Sequence, residues 1–232
     1  MFSHFNLSAI FVAPYGEQLL KGLELTTWLT VCSWVLALVL GTILATVRVS
    51  GSRMAERFVA GYVAYHQNVP MLVHILMWYF GIPTLLPESV QTWANANNGE
   101  LIFAGIAIGM CMAAYFSEDI RSGLRSIPVG QHEASRSLGL SYLGSMRYVI
   151  LPQAFRIALP PFINHTVLLF KNTSLAMAVG AAEMTYAVRE VENHTFRTFE
   201  AYLLATVFYL AVSLGLMAIG ALVAQRTRIP AR

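Results

Sequence analysis

RSGLRSIPVGQHEASRSLGLSYLGSMRYVILPQ, residues 121–153, is the polar stretch around which the rest of the chain is organised. Its local chemistry predicts two short helices. Pro128 suits a first helical turn, and Gly139 suits a left-handed cap at a helix end. Ser141 is placed to cap the next helix, and Pro152 to open a longer one. The stretch is too long for a plain link between two helices, and long ordered connections are usually functional.

Outward from it lie apolar runs. A bilayer core of roughly 30 Å needs about 20 apolar residues to cross it as a helix. Five runs come close: Leu23–Val47, Phe58–Phe80, Leu101–Phe116, about Ile157–Ala182, and Ala201–Ala224. The chain has 232 residues, 56% hydrophobic and 12% charged, against about 25% charged in soluble domains. Lipid is the solvent this composition fits. About five transmembrane helices in a single all-α integral membrane domain, residues 1–232, are expected. The second and fourth runs are polar for lipid-facing helices: His66, Gln67, Asn68 and His74 in one, Asn164, His165, Asn172, Thr173 and Ser174 in the other. That polarity suits contact with each other, with a partner chain or with a watery path. Pro70 is expected to kink the second run and free a carbonyl.

Positive charge sets the orientation. Three arginines fall in Arg48–Arg57, five in Arg121–Arg156, and Arg226, Arg228 and Arg232 close the tail. Residues 81–100 hold none, the N-terminal segment holds only Lys21, and the loop near Val188–Glu200 holds Arg189 and Arg197. The N-terminus is therefore expected outside and the C-terminus in the cytoplasm. Residues 1–20 have no basic leader, and Pro14, Gly16 and Glu17 break their apolar character, so no cleavable signal is expected. Cys32 and Cys111, each inside an apolar run, read as small buried hydrophobes, not as a disulfide or metal framework.

Glu133-Ala134-Ser135, followed by Gly139 and then by Ile150-Leu151-Pro152, resembles the "EAA" loop of binding-protein-dependent ABC importer permeases. Ile127-Pro128-Val129-Gly130-Gln131, Leu151-Pro152-Gln153-Ala154-Phe155-Arg156, Leu159-Pro160-Pro161 with Asn164, and Lys171-Asn172-Thr173-Ser174-Leu175 resemble the amino-acid branch of that family, as does Asn68-Val69-Pro70. The chain departs from the family at Ser135, where alanine is common, and at Gln67, where an arginine often stands.

The resemblance implies a type I importer-like permease in the bacterial inner membrane, multi-pass, with a cytoplasmic coupling loop at about 121–152. The helix from Gly130 to Leu138 would dock on a separate ATP-binding subunit, two copies per complex, with ATP-Mg held there and no cofactor in this chain. Gly130, Glu133, Ala134, Ser135 and Gly139 form that coupling element. A second permease, identical or homologous, would complete the pore, and a periplasmic solute-binding protein would deliver a polar amino acid. The second run's ending, Trp78-Tyr79-Phe80-Gly81-Ile82-Pro83, is most similar to glutamate/aspartate-type permeases. The candidate substrate path comprises Asn68, Asn164, Lys171, Asn172, Thr173 and Ser174.

Read from the residues alone, Lys171 can meet an acidic substrate, pair with a carboxylate across the bundle, or snorkel from a helix end. The Asn, Thr and Ser residues can line a path or bond helix to helix. Glu118 and Asp119 are expected to pair with Arg121 or Arg125. Gly105 and Gly109 form a small-xxx-small face for close packing, read as a structural contact and a candidate for the permease–permease interface.

Other chemistries fail on spacing. His132-Glu133 lacks the second zinc histidine, Gly139-Leu140-Ser141 lacks the second glycine of a nucleophile elbow, and neither lysine follows a phosphate-binding glycine. The chain is expected to be a transport subunit without an ATPase site. An autonomous secondary transporter or channel, a membrane enzyme and a poreless structural subunit are the rival classes.

Overall fold

Ala-, Leu- and Val-rich stretches punctuated by Pro and Gly give helices and little else. The computed structural model describes residues 6–48 and 52–227, and no strand occurs among them. Residues 1–5 of the N-terminal segment and Arg228 and Arg232 of the basic tail lie outside the described residues.

Helix α1 (Tyr15–Arg48) is followed by α2 (Arg53–Asn68) and α3 (Met71–Leu76), and α3 runs on through a π turn and a 3-10 turn to Leu85. Next come α4 (Glu88–Ala96), the central α5 (Gly99–Arg125) and the short α6 (Val129–Ser137) and α7 (Tyr142–Ser145). A π turn, Met146–Ile150, leads into α8 (Leu151–Asn172), which tightens into a 3-10 stretch, Thr173–Val179. Helices α9 (Met184–Thr195) and α10 (Thr198–Thr227) complete the fold.

Three helices, α1, α5 and α10, are long and apolar enough to cross a membrane. The second expected run is a broken span: α2 and α3 meet at 105°. The fourth run expected from sequence has the length but not the composition. Helix α8 spans 22 residues, and Pro160, Pro161, Asn164, His165 and Lys171 make it more polar than the rest. Two helices lie where sequence suggested loops, α4 within residues 81–100 and α9 just before Arg197. Both are too short and too polar to resemble spans.

In lipid, helices gain nothing from hiding apolar area from one another, so small residues, close packing and internal hydrogen bonds must hold the bundle. Helix α1 lies along α5, α8 packs on α5 and α10, and α9 bridges α1 and α10. The face that α1 buries repeats every three or four residues: Leu19, Gly22, Thr26, Leu29, Ser33, Ala37, Gly41, Leu44. Opposite it, α5 presents Gly105 against Leu29 and Gly109 against Leu36. The small-xxx-small face thus packs within the chain, against α1.

Threonine hydroxyls in α1 are satisfied within the helix. Thr26, Thr30, Thr42 and Thr46 each donate to the carbonyl four residues back, at 2.9, 2.7, 2.7 and 2.8 Å. Trp34 crosses the bundle, donating from Nε1 to Thr166 Oγ1 at 3.1 Å with its ring edge-on to Phe116 and Phe162. Cys111 is buried, as expected, whereas Cys32 points outward from α1 and is exposed.

Candidate functional site: the coupling loop and the polar face of α8

The loop after α5 is pinned by little. Ile127 is buried with Ile150 and Ala154, and the Ser126 hydroxyl donates to Gly123 O at 2.7 Å. Pro128 is the N-cap residue of α6, extended at φ −58° and ψ 141°, one step before the first-turn position expected. Helix α6 buries one residue, Ser135. The Ser135 hydroxyl donates to His132 O at 2.8 Å and lies 2.8 Å from Ser145 Oγ, so the Ser145 hydroxyl is the donor between them. Gln153 Nε2 adds a 3.3 Å bond to Gln131 Oε1.

The end of α6 has the geometry its sequence predicts. Gly139 has φ +83°. Its N–H donates to Arg136 O at 2.9 Å, and that of Leu140 to Ser135 O at 3.2 Å, the paired bonds of a Schellman cap. Ser141 then caps α7, accepting from Gly144 N at 3.1 Å, and Pro152 sits in the first turn of α8. Gly130, Glu133, Ala134 and Gly139 share the exposed side, and Ser135 alone of the five turns inward. Around them Val129, Leu138, Tyr142 and Leu143 are exposed, Leu138 at 82%.

Charges gather where α1 and α5 end. Glu118 takes both Arg48 and Arg121, the latter through Nε at 3.1 and 3.0 Å. Glu118 therefore pairs as expected. Asp119 does not: its Oδ2 meets His165 Nδ1 of α8 at 2.7 Å. One residue further round a helix is a turn of about 100°, which carries Asp119 away from the arginines and into the α5–α8 contact. Asp119 is 5% exposed, and its partner stands beside the Tyr115 ring.

The structure splits the candidate path. Asn164 and Lys171, two turns apart, lie exposed on one face of α8. Lys171 makes no ion pair among the described residues, so of its three readings the carboxylate partner across the bundle is not found there. Asn172 points inward, its Nδ2 4.0 Å from Met112 Sδ. Thr173 is buried and donates to Phe170 O at 2.7 Å, and Ser174 donates to Lys171 O at 2.7 Å. These two hydroxyls are spent on carbonyls freed where the helix tightens. Asn68 lies at the α2–α3 break, exposed, with its Nδ2 on Ala64 O at 2.7 Å.

Within that break, His66 and His74 stack at 5.1 Å, with Nδ1 at the carbonyls of Tyr62 and Pro70 (3.0 and 3.2 Å). A carbonyl only accepts, so Nδ1 carries the proton in each ring. No group of three His, Cys, Asp or Glu side chains is set to hold a metal among the described residues.

Sequence reading missed Glu183. It is fully buried at the start of α9. Its carboxylate accepts from Thr185 N and Tyr186 N, both at 2.9 Å, and from the Tyr209 hydroxyl of α10 at 2.7 Å. Next to it, Met184 N donates to Thr26 Oγ1 of α1 at 2.9 Å. One acid thus ties α9 to α10 beside α1. The available signal was an acid directly preceding a short amphipathic run, the position of a helix cap.

Comparison with known proteins gives a consistent picture. The family described as "Binding-protein-dependent transport system inner membrane component" matches residues 37–229. The glutamate/aspartate import permease protein GltK of Escherichia coli O6:H1 is 32% identical over 216 residues, 93% of this chain and 96% of that protein. GltJ of Escherichia coli strain K12, of the same description, is 28% identical over 227 residues, 94% and 92% of the two chains. The arginine transport system permease protein ArtQ of Bacillus subtilis is 29% identical over 224 residues, 96% and 98%. The solved structure of an amino acid ABC transporter with histidines aligns at a TM-score of 0.81 and 25% identity, covering 96% of this chain and 100% of that one. The inward-facing MetNI methionine transporter aligns at 0.71 and 17% identity, a likeness of fold.

Proposed function

Because the chain belongs to the binding-protein-dependent transport system inner membrane component family, it is the permease component of an amino-acid ABC importer, and we propose that its cargo is glutamate or aspartate. The observation that carries the cargo reading is Lys171: a lysine in the last turn of α8, exposed on the same face as Asn164 and in no ion pair among the described residues. A cation at membrane depth is costly unless something anionic meets it, and an acidic amino acid supplies that charge. The names of the relatives GltJ and GltK agree.

In this reading the chain lies in the bacterial inner membrane, N-terminus outside, and performs no covalent chemistry. Helix α6 docks on a cytoplasmic ATP-binding subunit, of which the complex holds two, each binding ATP-Mg. Gly130 and Ala134 keep the docking face low, Glu133 gives it a negative charge, Gly139 ends it, and Ser135 fixes its seat on the bundle. Val129, Leu138, Tyr142 and Leu143 supply apolar area of the kind interfaces bury. A second permease, identical or homologous, covers the α8 face, and a periplasmic solute-binding protein delivers the cargo.

The test is uptake of labelled glutamate, glutamine and arginine into vesicles carrying the co-purified complex. Glutamate should accumulate only with ATP inside, and Lys171→Met should lower that uptake by about tenfold, the equivalent of ~1.4 kcal/mol. Preferential accumulation of arginine or glutamine, or unchanged glutamate uptake in Lys171→Met, would overturn the cargo reading.

A further inference from the structure

The part of the bundle furthest from the coupling loop carries a groove that the transport reading leaves unused. It lies between the beginnings of α1 and α10 and has a volume of about 720 Å³. Leu19, Leu20 and Leu23 form one wall, Leu204, Phe208 and Ala211 the other, and Met184 lies between them. Glu17 is the one charged residue in the lining.

We propose that this groove binds one acyl chain of a phospholipid whose headgroup carries both an amine and a phosphate, of the phosphatidylethanolamine type. Both walls are spanning helices, so the medium that meets the groove is hydrocarbon. Along α10 the lining runs from Leu204 to Val212, about 12 Å at 1.5 Å per residue, against about 15 Å for one leaflet of a 30 Å core. The depth therefore suits a chain from one leaflet. Polarity is graded in the order such a lipid requires. Glu17 stands in the first turn of α1, outermost, where an amine would sit. Lys21, exposed one turn deeper, is level with a phosphate. The two are not ion-paired to each other among the described residues. Asn6 N, on Glu200 Oε1 at 3.1 Å, ties the segment before α1 to the first turn of α10.

The test reconstitutes the whole complex into vesicles of equal phosphatidylethanolamine and phosphatidylglycerol, re-extracts it in mild detergent and counts the retained lipid by mass spectrometry. Wild type should keep one phosphatidylethanolamine per copy of this chain. Ala211→Phe, which fills the groove, should lose it. Glu17→Gln should keep a lipid but take the two headgroups equally. Equal lipid retention by wild type and Ala211→Phe would overturn the proposal. Should Ala211→Phe fail to assemble, a photoreactive phenylalanine analogue at Leu20 decides: an adduct of phospholipid mass supports the site, and an adduct to polypeptide overturns it. The lipid count needs no cargo, so it stands or falls apart from the glutamate reading.

Discussion

The thiol of Cys111 lies 3.2 Å from the carbonyl oxygen of His66, the carbonyl that Pro70 leaves without its helical donor. A proline has no N–H to give four residues back. In lipid a freed carbonyl must find another partner or cost free energy. Cys111, on the central helix α5, supplies it from outside the broken span, which lets α2 and α3 meet at 105°.

Cys111→Ala should therefore destabilise the bend, not merely the packing. A buried acceptor left without a partner costs about 1–3 kcal/mol. Cys111→Ser keeps a donor and should recover most of the loss. Thermal unfolding of the two variants as purified complexes separates the cases: equal losses would mean that volume, not the hydrogen bond, matters here.

The serine pair between α6 and α7 makes a sharper case. Ser135→Ala leaves the Ser145 hydroxyl buried and without its acceptor, at a cost of about 1–3 kcal/mol, whereas Ser145→Ala leaves Ser135 its bond to His132 O and should cost less, and removing both can be nearly neutral. The double variant should unfold closer to wild type than Ser135→Ala alone. The measurement is a double-mutant cycle on unfolding midpoints, and strict additivity would deny the coupling.

Gly139→Ala carries a purely conformational cost, since an added Cβ would meet nothing within 4 Å. An L-residue in the left-handed region costs about 1–2 kcal/mol. Asparagine visits that region more readily, so Gly139→Asn should lose less. In vesicles, ATP-driven uptake should rank wild type first, Asn second and Ala last. Equal uptake by the Ala and Asn variants would show that the backbone conformation does not govern transport.

Two glycines should respond in opposite directions. A Cβ at Gly123 would stand 2.5 Å from Ala154 O and 2.8 Å from Ala158 Cβ, so Gly123→Ala forces α5 and α8 apart at about 1–3 kcal/mol. At Gly61 in α2 a Cβ meets nothing within 4 Å, and Gly61→Ala should stabilise by up to about 1 kcal/mol through helix propensity. Unfolding midpoints of both variants test this crossing of the helices directly.

Local signals read correctly where the physics is local. The caps at Gly139 and Ser141, the break at Pro70 and the apolar stretches behind α1, α5 and α10 depend on near neighbours in the chain. The fourth run was harder: length argued for a span, while two prolines and several polar residues gave a helix, α8, that begins earlier and ends in a 3-10 stretch. Helices α4 and α9 escaped because each buries only a narrow face and neither is apolar overall.

By itself the sequence determined that this chain is a helical membrane protein and where the connection between α5 and α8 bends, because composition and backbone chemistry act over a few residues. It could mark Gly105, Ser135, Cys111, Asp119 and Glu183 as small, polar or charged, but not name what covers them. Tertiary structure decided that Gly105 meets α1, that Ser135 meets Ser145, that Cys111 serves His66, that Asp119 turns to His165 and that Glu183 is held by Tyr209. The reason is geometric: periodicity shows which residues share a helix face, while the neighbour that face meets is set by how whole helices cross.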